Sequence, residues 1–155
     1  MSEASKRELA QKVYDSLCQT IRSRNWRFQE KKEQMMVRFG VVGDDIPMRF
    51  VMVVDEERRL VRLLSRLPFS MREDRRTEGA IAACACTYGL ANGCFDYNIR
   101  DGSITFRMTA SYRESVIGEG LFNYMIDCAA ATVDEFNDKL YALNEGLLDI
   151  SAFLG

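Results

Sequence analysis

The stretch CFDYNIRDGSITFRMTA, residues 94–110, decides the fold. Apolar and polar side chains alternate on both sides of Asp101-Gly102, and an alternation of period two is typical of β-strands. An Asp-Gly pair between two such runs is the strongest short-range signal for a β-hairpin. The stretch therefore predicts two antiparallel strands joined by a tight turn.

The position of the turn also predicts the register of this hairpin. If Asp101 and Gly102 are the two central turn residues, each residue before the turn has a fixed partner after it. Asp96 then lies opposite Arg107, and an opposite-charge pair at this position favours the same register. The apolar pairs on the other face would be Ile99 with Ile104, Tyr97 with Phe106, and Phe95 with Met108.

Three further strands are predicted upstream of the hairpin. Residues 34–42 alternate with period two, and residues 48–55 and 60–67 are rich in apolar and β-branched side chains. Turn-forming sequences separate the three segments, and Pro68 is expected to close the last of them. We expect three antiparallel strands connected as a meander.

Three other segments have the pattern of helices. Residues 6–25 carry apolar side chains at every fourth position, residues 74–90 are rich in alanine, and residues 115–144 repeat apolar side chains at spacings of three and four. The order α-β-β-β-α-β-β-α has too few strand–helix alternations for a doubly wound parallel sheet. It predicts an α+β fold in a single domain, residues 1–155, with a largely antiparallel five-stranded sheet packed against helices.

The segment from the second helix into the hairpin resembles the YbjN-like proteins, which are described as bacterial sensory transduction regulators. The resemblance rests on YGLANGCFDY at residues 88–97 and DGSITFR at residues 101–107. It implies a fold similar to the type III secretion chaperones, which are dimeric and bind other polypeptides. It further implies a homodimer with a protein client or regulatory partner. The resemblance carries no catalytic residue to any position of this chain.

Charge and hydropathy limit the partners to be expected. The net charge is −2, whereas binding to nucleic acid or to an anionic membrane requires a strong basic excess, so we expect neither partner. The charge is unevenly spread, because the segment from Glu114 onward holds eight acids and one base. The first nine residues are polar, and nowhere do about 18 apolar residues run together, which predicts a cytoplasmic protein.

The residue types needed for chemistry are sparse. The chain has no histidine, the commonest general base and metal ligand at neutral pH. The five cysteines lie among apolar or small residues, which favours buried reduced thiols. We therefore expect no catalytic, cofactor or metal site, and a non-enzymatic protein-binding domain with a chaperone-like or regulatory role. The alternative is a small-molecule sensor or enzyme with a pocket between sheet and helices.

The second and third strands are apolar on both faces, so one of their faces needs a cover besides the helices. A dimer partner, a bound client segment or the chain's own apolar tail or first helix could supply it. The third helix likewise has an apolar sector wide enough for two packing partners. The expected interaction surface comprises Val51, Val53, Val61 and Leu63 in the strands and Phe122, Ile126 and Val133 in the helix.

A cluster of arginines runs from the third strand toward the second helix. Its first four members, Arg58, Arg59, Arg62 and Arg66, form a candidate anion patch. Acidic residues interleave with the cluster, so a solvated face or a complement to the acidic C-terminal segment is the preferred interpretation.

Overall fold

Six strands and four helices make up the computed structural model, which describes residues 1–155. The strands are β1 (Gln29–Lys31), β2 (Met36–Val41), β3 (Met48–Asp55), β4 (Leu60–Ser70), β5 (Cys94–Tyr97) and β6 (Ser103–Ser111). The helices are α1 (Glu3–Ser23), α2 (Arg76–Thr87), α3 (Glu119–Asn144) and α4 (Ile150–Leu154). Two short 3-10 helices, Lys32–Gln34 and Glu73–Arg75, precede β2 and α2.

The strands form one antiparallel sheet in the order β1-β2-β3-β4-β6-β5. This arrangement confirms the α+β class and the antiparallel sheet. The sheet has six strands rather than the expected five, because β1 adds an edge strand. Its three residues are all polar and too few to show a period, which is why the sequence did not predict it.

The core lies between the helices and one face of the sheet. Along β3 the side chains at positions 48, 50, 52 and 54 are buried, as the pleat of a half-covered strand requires. Helices α1 and α3 pack on each other and on β3, and α2 packs on β5 and α3. Together these elements enclose 33 buried apolar residues in one cluster. None of the four helices has the length and apolar character needed to cross a membrane.

Helix α1 begins at Glu3, three residues before the expected start, because the Ser2 side chain accepts a hydrogen bond from the Ser5 N–H and caps the helix. Helix α3 begins at Glu119 with Gly118 as its N-cap, later than the expected residue 115. Gly120 therefore lies in the first turn, where a Cβ would meet no atom within 4 Å. A Cβ at Gly118 would likewise meet no atom within 4 Å, so neither glycine is required by the close approach of another backbone.

The hairpin is present, but the predicted register is wrong by two residues. Tyr97 pairs with Ile104 and Phe95 pairs with Phe106, whereas Asp101 and Gly102 belong to a four-residue loop, residues 99–102. The Gly102 N–H donates to the Asn98 carbonyl at 2.7 Å, which closes a turn one residue wider than a β-turn. The wider loop brings the Gly102 carbonyl to the Met71 N–H at 2.8 Å, so the hairpin tip is fastened to the end of β4.

Candidate functional site

The residues expected to form one interaction surface lie on both faces of the sheet. Val51 pairs with Leu64 and Val53 pairs with Arg62, so these two valines are on the face that the helices leave open. Val61 and Leu63 are fully buried on the opposite face. Placing the four residues on one face was wrong, because the observed register sets Met52, not Val51, opposite Leu63.

The three α3 residues of the expected surface also lie in the core. Phe122, Ile126 and Val133 are at most 1% exposed, because they face the sheet and α1. The apolar sector of α3 is wide because the helix packs on several elements of its own chain. The exposed apolar side chains near its start are instead Leu121 and Tyr124, at 38% and 47% exposure.

The open face of the sheet has no cover from the chain itself. The tail helix α4 packs on α2 and α3, and α1 packs on the core face, so neither folds over the other side. The open face exposes a strip of half-buried apolar side chains: Met36, Val51, Val53 and Leu64.

The four arginines of the candidate anion patch, Arg58, Arg59, Arg62 and Arg66, have different neighbours in the structure. The Asp55 carboxylate forms ion pairs with Arg58 at 3.1 Å and Arg62 at 3.4 Å. Burial alone would raise the pKa of Asp55, but the Arg58 hydrogen bonds and the two positive charges hold that pKa below its ordinary value. Arg59 lies in the β3–β4 turn with a φ of 54°, and Arg66 lies farther along β4 with no ion pair. These four residues therefore do not form one anion patch.

Other arginines do pair with the acidic C-terminal segment, as the preferred interpretation of the arginine cluster expected. Arg72 pairs with Glu145 of the acidic C-terminal segment at 2.6 Å, and Arg24 of the α1 C-terminus pairs with Asp127 at 2.7 Å. These contacts connect basic residues of the first half of the chain to the acidic segment that begins at Glu114.

The sheet divides between β3 and β4. Their ladder runs from Asp55–Leu60 to Val51–Leu64 and stops there. Beyond that point β3 remains paired with β2, and β4 remains paired with β6, with a register irregularity between Arg66 and Ser70. Pro68, which was expected to end the strand, lies inside this irregular segment and has no N–H to donate. The two strand ends thus form the walls of a cleft.

The cleft has a volume of about 1330 Å³ and is lined by 16 residues, none of them acidic. They come from the start of β1 and the residues before it, from β2, from β3 with its preceding loop, and from the end of β4. The apolar lining includes Phe28, Ile46, Val51 and Phe69.

Four arginines line this cleft: Arg27, Arg38, Arg49 and Arg66. All four are exposed, and none forms an ion pair within the chain, whereas Arg7, Arg22, Arg24 and five other arginines do. The acidic residue that Arg66 influences is Asp101 in the hairpin loop, whose pKa is lowered by hydrogen bonds from Ser103 and, to a smaller extent, by that arginine. The cleft therefore concentrates four arginines that form no ion pair, a feature that the sequence pattern alone did not indicate.

Two asparagines of α3 hold the loop before β3 and the end of β4. Asn137 donates its side-chain N–H to the Ile46 carbonyl at 3.2 Å, before β3 begins. Asn144 donates to the Ser70 carbonyl at 3.2 Å and accepts from the Arg72 N–H at 2.8 Å, at the end of β4. The two residues are seven positions apart on the same face of α3, and both are buried. Helix α3 therefore holds the backbone at the outer end of each wall of the cleft, at Ile46 before β3 and at Ser70 in β4.

The cysteines are unpaired, and they differ in burial. Cys18 and Cys86 are buried, which raises their pKa values to about 11 and about 12 respectively. Cys84 is exposed, so the expectation that all five lie in or near the core was wrong for that residue. It points away from the core because it is two positions from Cys86 on the same helix. No group of three or more potential metal ligands occurs in the chain.

Comparison with known proteins identifies the fold. No protein-family model matches the chain, and no curated protein is similar to it in sequence. A chain of the HopA1-SchA chaperone-effector complex matches with a TM-score of 0.58 and 9% identity, over 83% of this chain and 96% of that chain. YbjN from E. coli, described as a candidate transcription regulator, matches with a TM-score of 0.57 and 10% identity, over 81% and 92%. The likeness confirms the expected chaperone-like and YbjN-like fold.

Proposed function

We propose that this chain is a non-enzymatic protein-binding domain with a chaperone-like or regulatory role, acting as a homodimer. The observation that carries the proposal is the open sheet face with its strip of Met36, Val51, Val53 and Leu64. An apolar strip rimmed by polar side chains is typical of a protein-interaction surface. Arg62 and Arg38 supply such a rim here, on the same face.

The structural neighbours also support a protein-binding role. One belongs to a chaperone-effector complex, and the other is described as a candidate regulator; neither is described as an enzyme. Five unpaired thiols are consistent with a reducing compartment, and we include a cytoplasmic location in the proposal.

The interior gives less support to a small-molecule sensor or enzyme. The space between helices and sheet is filled by the 33-residue core. One cavity is the cleft within the sheet, and another, of about 230 Å³, lies beside Gly93, Cys94 and Arg107. Neither matches the expected pocket between sheet and helices.

A displayed library of unstructured peptides tests the protein-binding proposal. Val53 belongs to the apolar strip of the open face, so Val53→Asp should abolish peptide binding while circular dichroism and thermal unfolding stay close to those of the parent protein. Because Val53 does not line the cleft, this variant tests the strip separately from the cleft. Val42→Asp is the control, because Val42 is 88% exposed and lies outside the strands. Failure of the parent protein to select any peptide, or unchanged selection by Val53→Asp, would contradict the proposal.

Light scattering coupled to size-exclusion chromatography tests the homodimer. We assign self-association to the exposed Leu121 and Tyr124 rather than to the buried Phe122 and Ile126. Tyr124→Asp should give a folded monomer, whereas Val42→Asp should remain dimeric. A monomeric mass for the parent protein at every concentration would remove the homodimer from the proposal.

A further inference from the structure

We propose that the cleft between β3 and β4 binds an acidic segment of a partner protein in extended conformation. This inference rests on the proposed protein-binding function and names the chemistry of the segment bound. It follows from three properties of the cleft: its strand edges, its charge and its size.

The strand edges explain the extended conformation. Arg49 and Phe50 of β3 pair with β2 on one side and have no partner on β4. Arg66 of β4 pairs with Thr105 of β6 and has no partner on β3. Each strand therefore has an edge toward the cleft that is outside any ladder, and such edges accept an added strand through main-chain hydrogen bonds.

The charge explains the preference for acidic side chains. Arg27, Arg38, Arg49 and Arg66 line the cleft without an ion pair, and no acidic residue lines it with them. A guanidinium group binds a carboxylate through two parallel hydrogen bonds, so each arginine is suited to one Asp or Glu. Arg38 and Arg49 lie on the same face of the sheet, so a bound strand would present its acids at alternate positions.

The size and lining favour a peptide over a small molecule. The volume of about 1330 Å³ exceeds the roughly 300–1,000 Å³ that is usual for small-molecule sites. Phe28, Ile46 and Phe69 supply apolar contacts for the side chains between the acids. A segment that alternates acidic and apolar residues fits both features.

The distribution of charge favours a protein segment over a nucleic acid. The four cleft arginines carry +4, so the remainder of a chain with net charge −2 carries −6. At the Ile46–Pro47 end of the cleft, a polyanion that extends farther would meet the exposed Asp44 and Asp45, whereas a short acidic segment is confined to the cleft.

Fluorescence anisotropy with a labelled peptide of about ten residues that alternates Glu and Val tests the inference on the full chain. The same peptide with Lys in place of Glu is the charge control. We expect the acidic peptide to bind, its affinity to fall as salt is added, and the basic peptide not to bind. Arg49→Gln and Arg66→Gln should each weaken binding about 5- to 10-fold, as for the loss of one charge-assisted contact.

Arg113→Gln is the matched variant, because Arg113 is exposed, forms no ion pair and lies outside the cleft. It should bind the acidic peptide like the parent protein. The inference is overturned if the acidic and basic peptides bind equally, if the two cleft variants bind like Arg113→Gln, or if a single-stranded oligonucleotide binds more tightly than the acidic peptide.

The outcome also separates this inference from the broader function. If library peptides bind regardless of charge and only Val53→Asp abolishes binding, the protein-binding function stands and the acidic-segment inference fails. If no peptide binds in either experiment, both fail.

Discussion

Asp96 and Arg107 form a two-point ion pair across the β5–β6 hairpin although their backbones are not opposite each other. Nε of Arg107 lies 2.7 Å from one Asp96 oxygen, and Nη2 lies 3.2 Å from the other. The residue opposite Asp96 is Thr105, and the residue opposite Arg107 is Cys94. A long arginine side chain spans this diagonal, so the pair forms in a register two residues away from the one that predicted it.

The first prediction concerns the strength of this pair. Both side chains are nearly half exposed, at 49% for Asp96 and 42% for Arg107, so solvent screens their attraction. A double-mutant cycle of Asp96→Asn and Arg107→Gln in urea unfolding should give a coupling free energy below about 1 kcal/mol. A coupling above about 2 kcal/mol would show that the pair contributes more to hairpin stability than its exposure allows.

The second prediction concerns the loop glycine that fastens the hairpin to β4. Gly102 has a φ of 74°, and an added Cβ would lie 2.3 Å from the Met71 carbonyl oxygen. Gly102→Ala should lower the free energy of unfolding by about 2–4 kcal/mol, because it combines an unfavourable φ with a backbone clash. Chemical denaturation measures this loss.

Gly89→Ala isolates the conformational part of that cost. Gly89 has a φ of 87°, and no atom lies within 4 Å of an added Cβ, so this substitution should cost only about 1–2 kcal/mol. Equal losses for the two variants would show that the contact of Gly102 with Met71 does not constrain the loop.

The hairpin illustrates how far local sequence determines this fold. Alternation placed both strands and their faces, and a register shift of two residues keeps every side chain on its face. The sequence therefore predicted the faces but not the register, because the loop length depends on Gly102 contacting Met71, 31 positions earlier in the chain. For the same reason the sequence did not show that Val61 and Leu63 are buried rather than on the interaction surface, because their burial depends on the register with β3.

The cleft was harder to predict for a related reason. Its arginines come from four separate segments, and only Arg66 belonged to the arginine cluster seen in the sequence. The other three lie outside that cluster, at positions 27, 38 and 49. They come together because β3 and β4 separate after Val51 and Leu64, and no local pattern marks that point.

The third prediction concerns the acid sensitivity of the β3–β4 turn. The Asp55 side chain is 10% exposed and holds Arg58 and Arg62, and its pKa is lowered in the folded state. Because the pKa of Asp55 is lower in the folded than in the unfolded state, its ionised form stabilises the folded protein at pH values above the unfolded pKa of about 3.9. This stabilisation is lost as the pH falls through the folded-state pKa. Asp55→Asn should destabilise the protein at neutral pH by about 1–2 kcal/mol.

Unfolding free energies between about pH 6 and about pH 2 test the direction of this effect. The difference between the parent protein and Asp55→Asn should shrink as the pH falls below about 4. Glu8→Gln, which removes an exposed carboxylate 3.7 Å from Lys12, is the control and should have little effect at either pH. A difference that grows on acidification would reverse the sign assigned to Asp55.

The fourth prediction concerns the two asparagines through which α3 positions the cleft walls. Asn144→Ala removes partners from the Ser70 carbonyl and the Arg72 N–H, and should cost about 2–3 kcal/mol. Asn137→Ala loses one bond, to the Ile46 carbonyl, and also removes a buried side-chain oxygen that has no partner, so its cost should be about 1 kcal/mol or less. Thermal and urea unfolding give the order of the two costs. Asn144 holds the end of β4, where Phe69 and Ser70 line the cleft. Asn144→Ala should therefore lower the affinity for the acidic peptide more than Asn137→Ala does. The opposite order in stability would indicate that the β3 end, rather than the β4 end, depends more on α3.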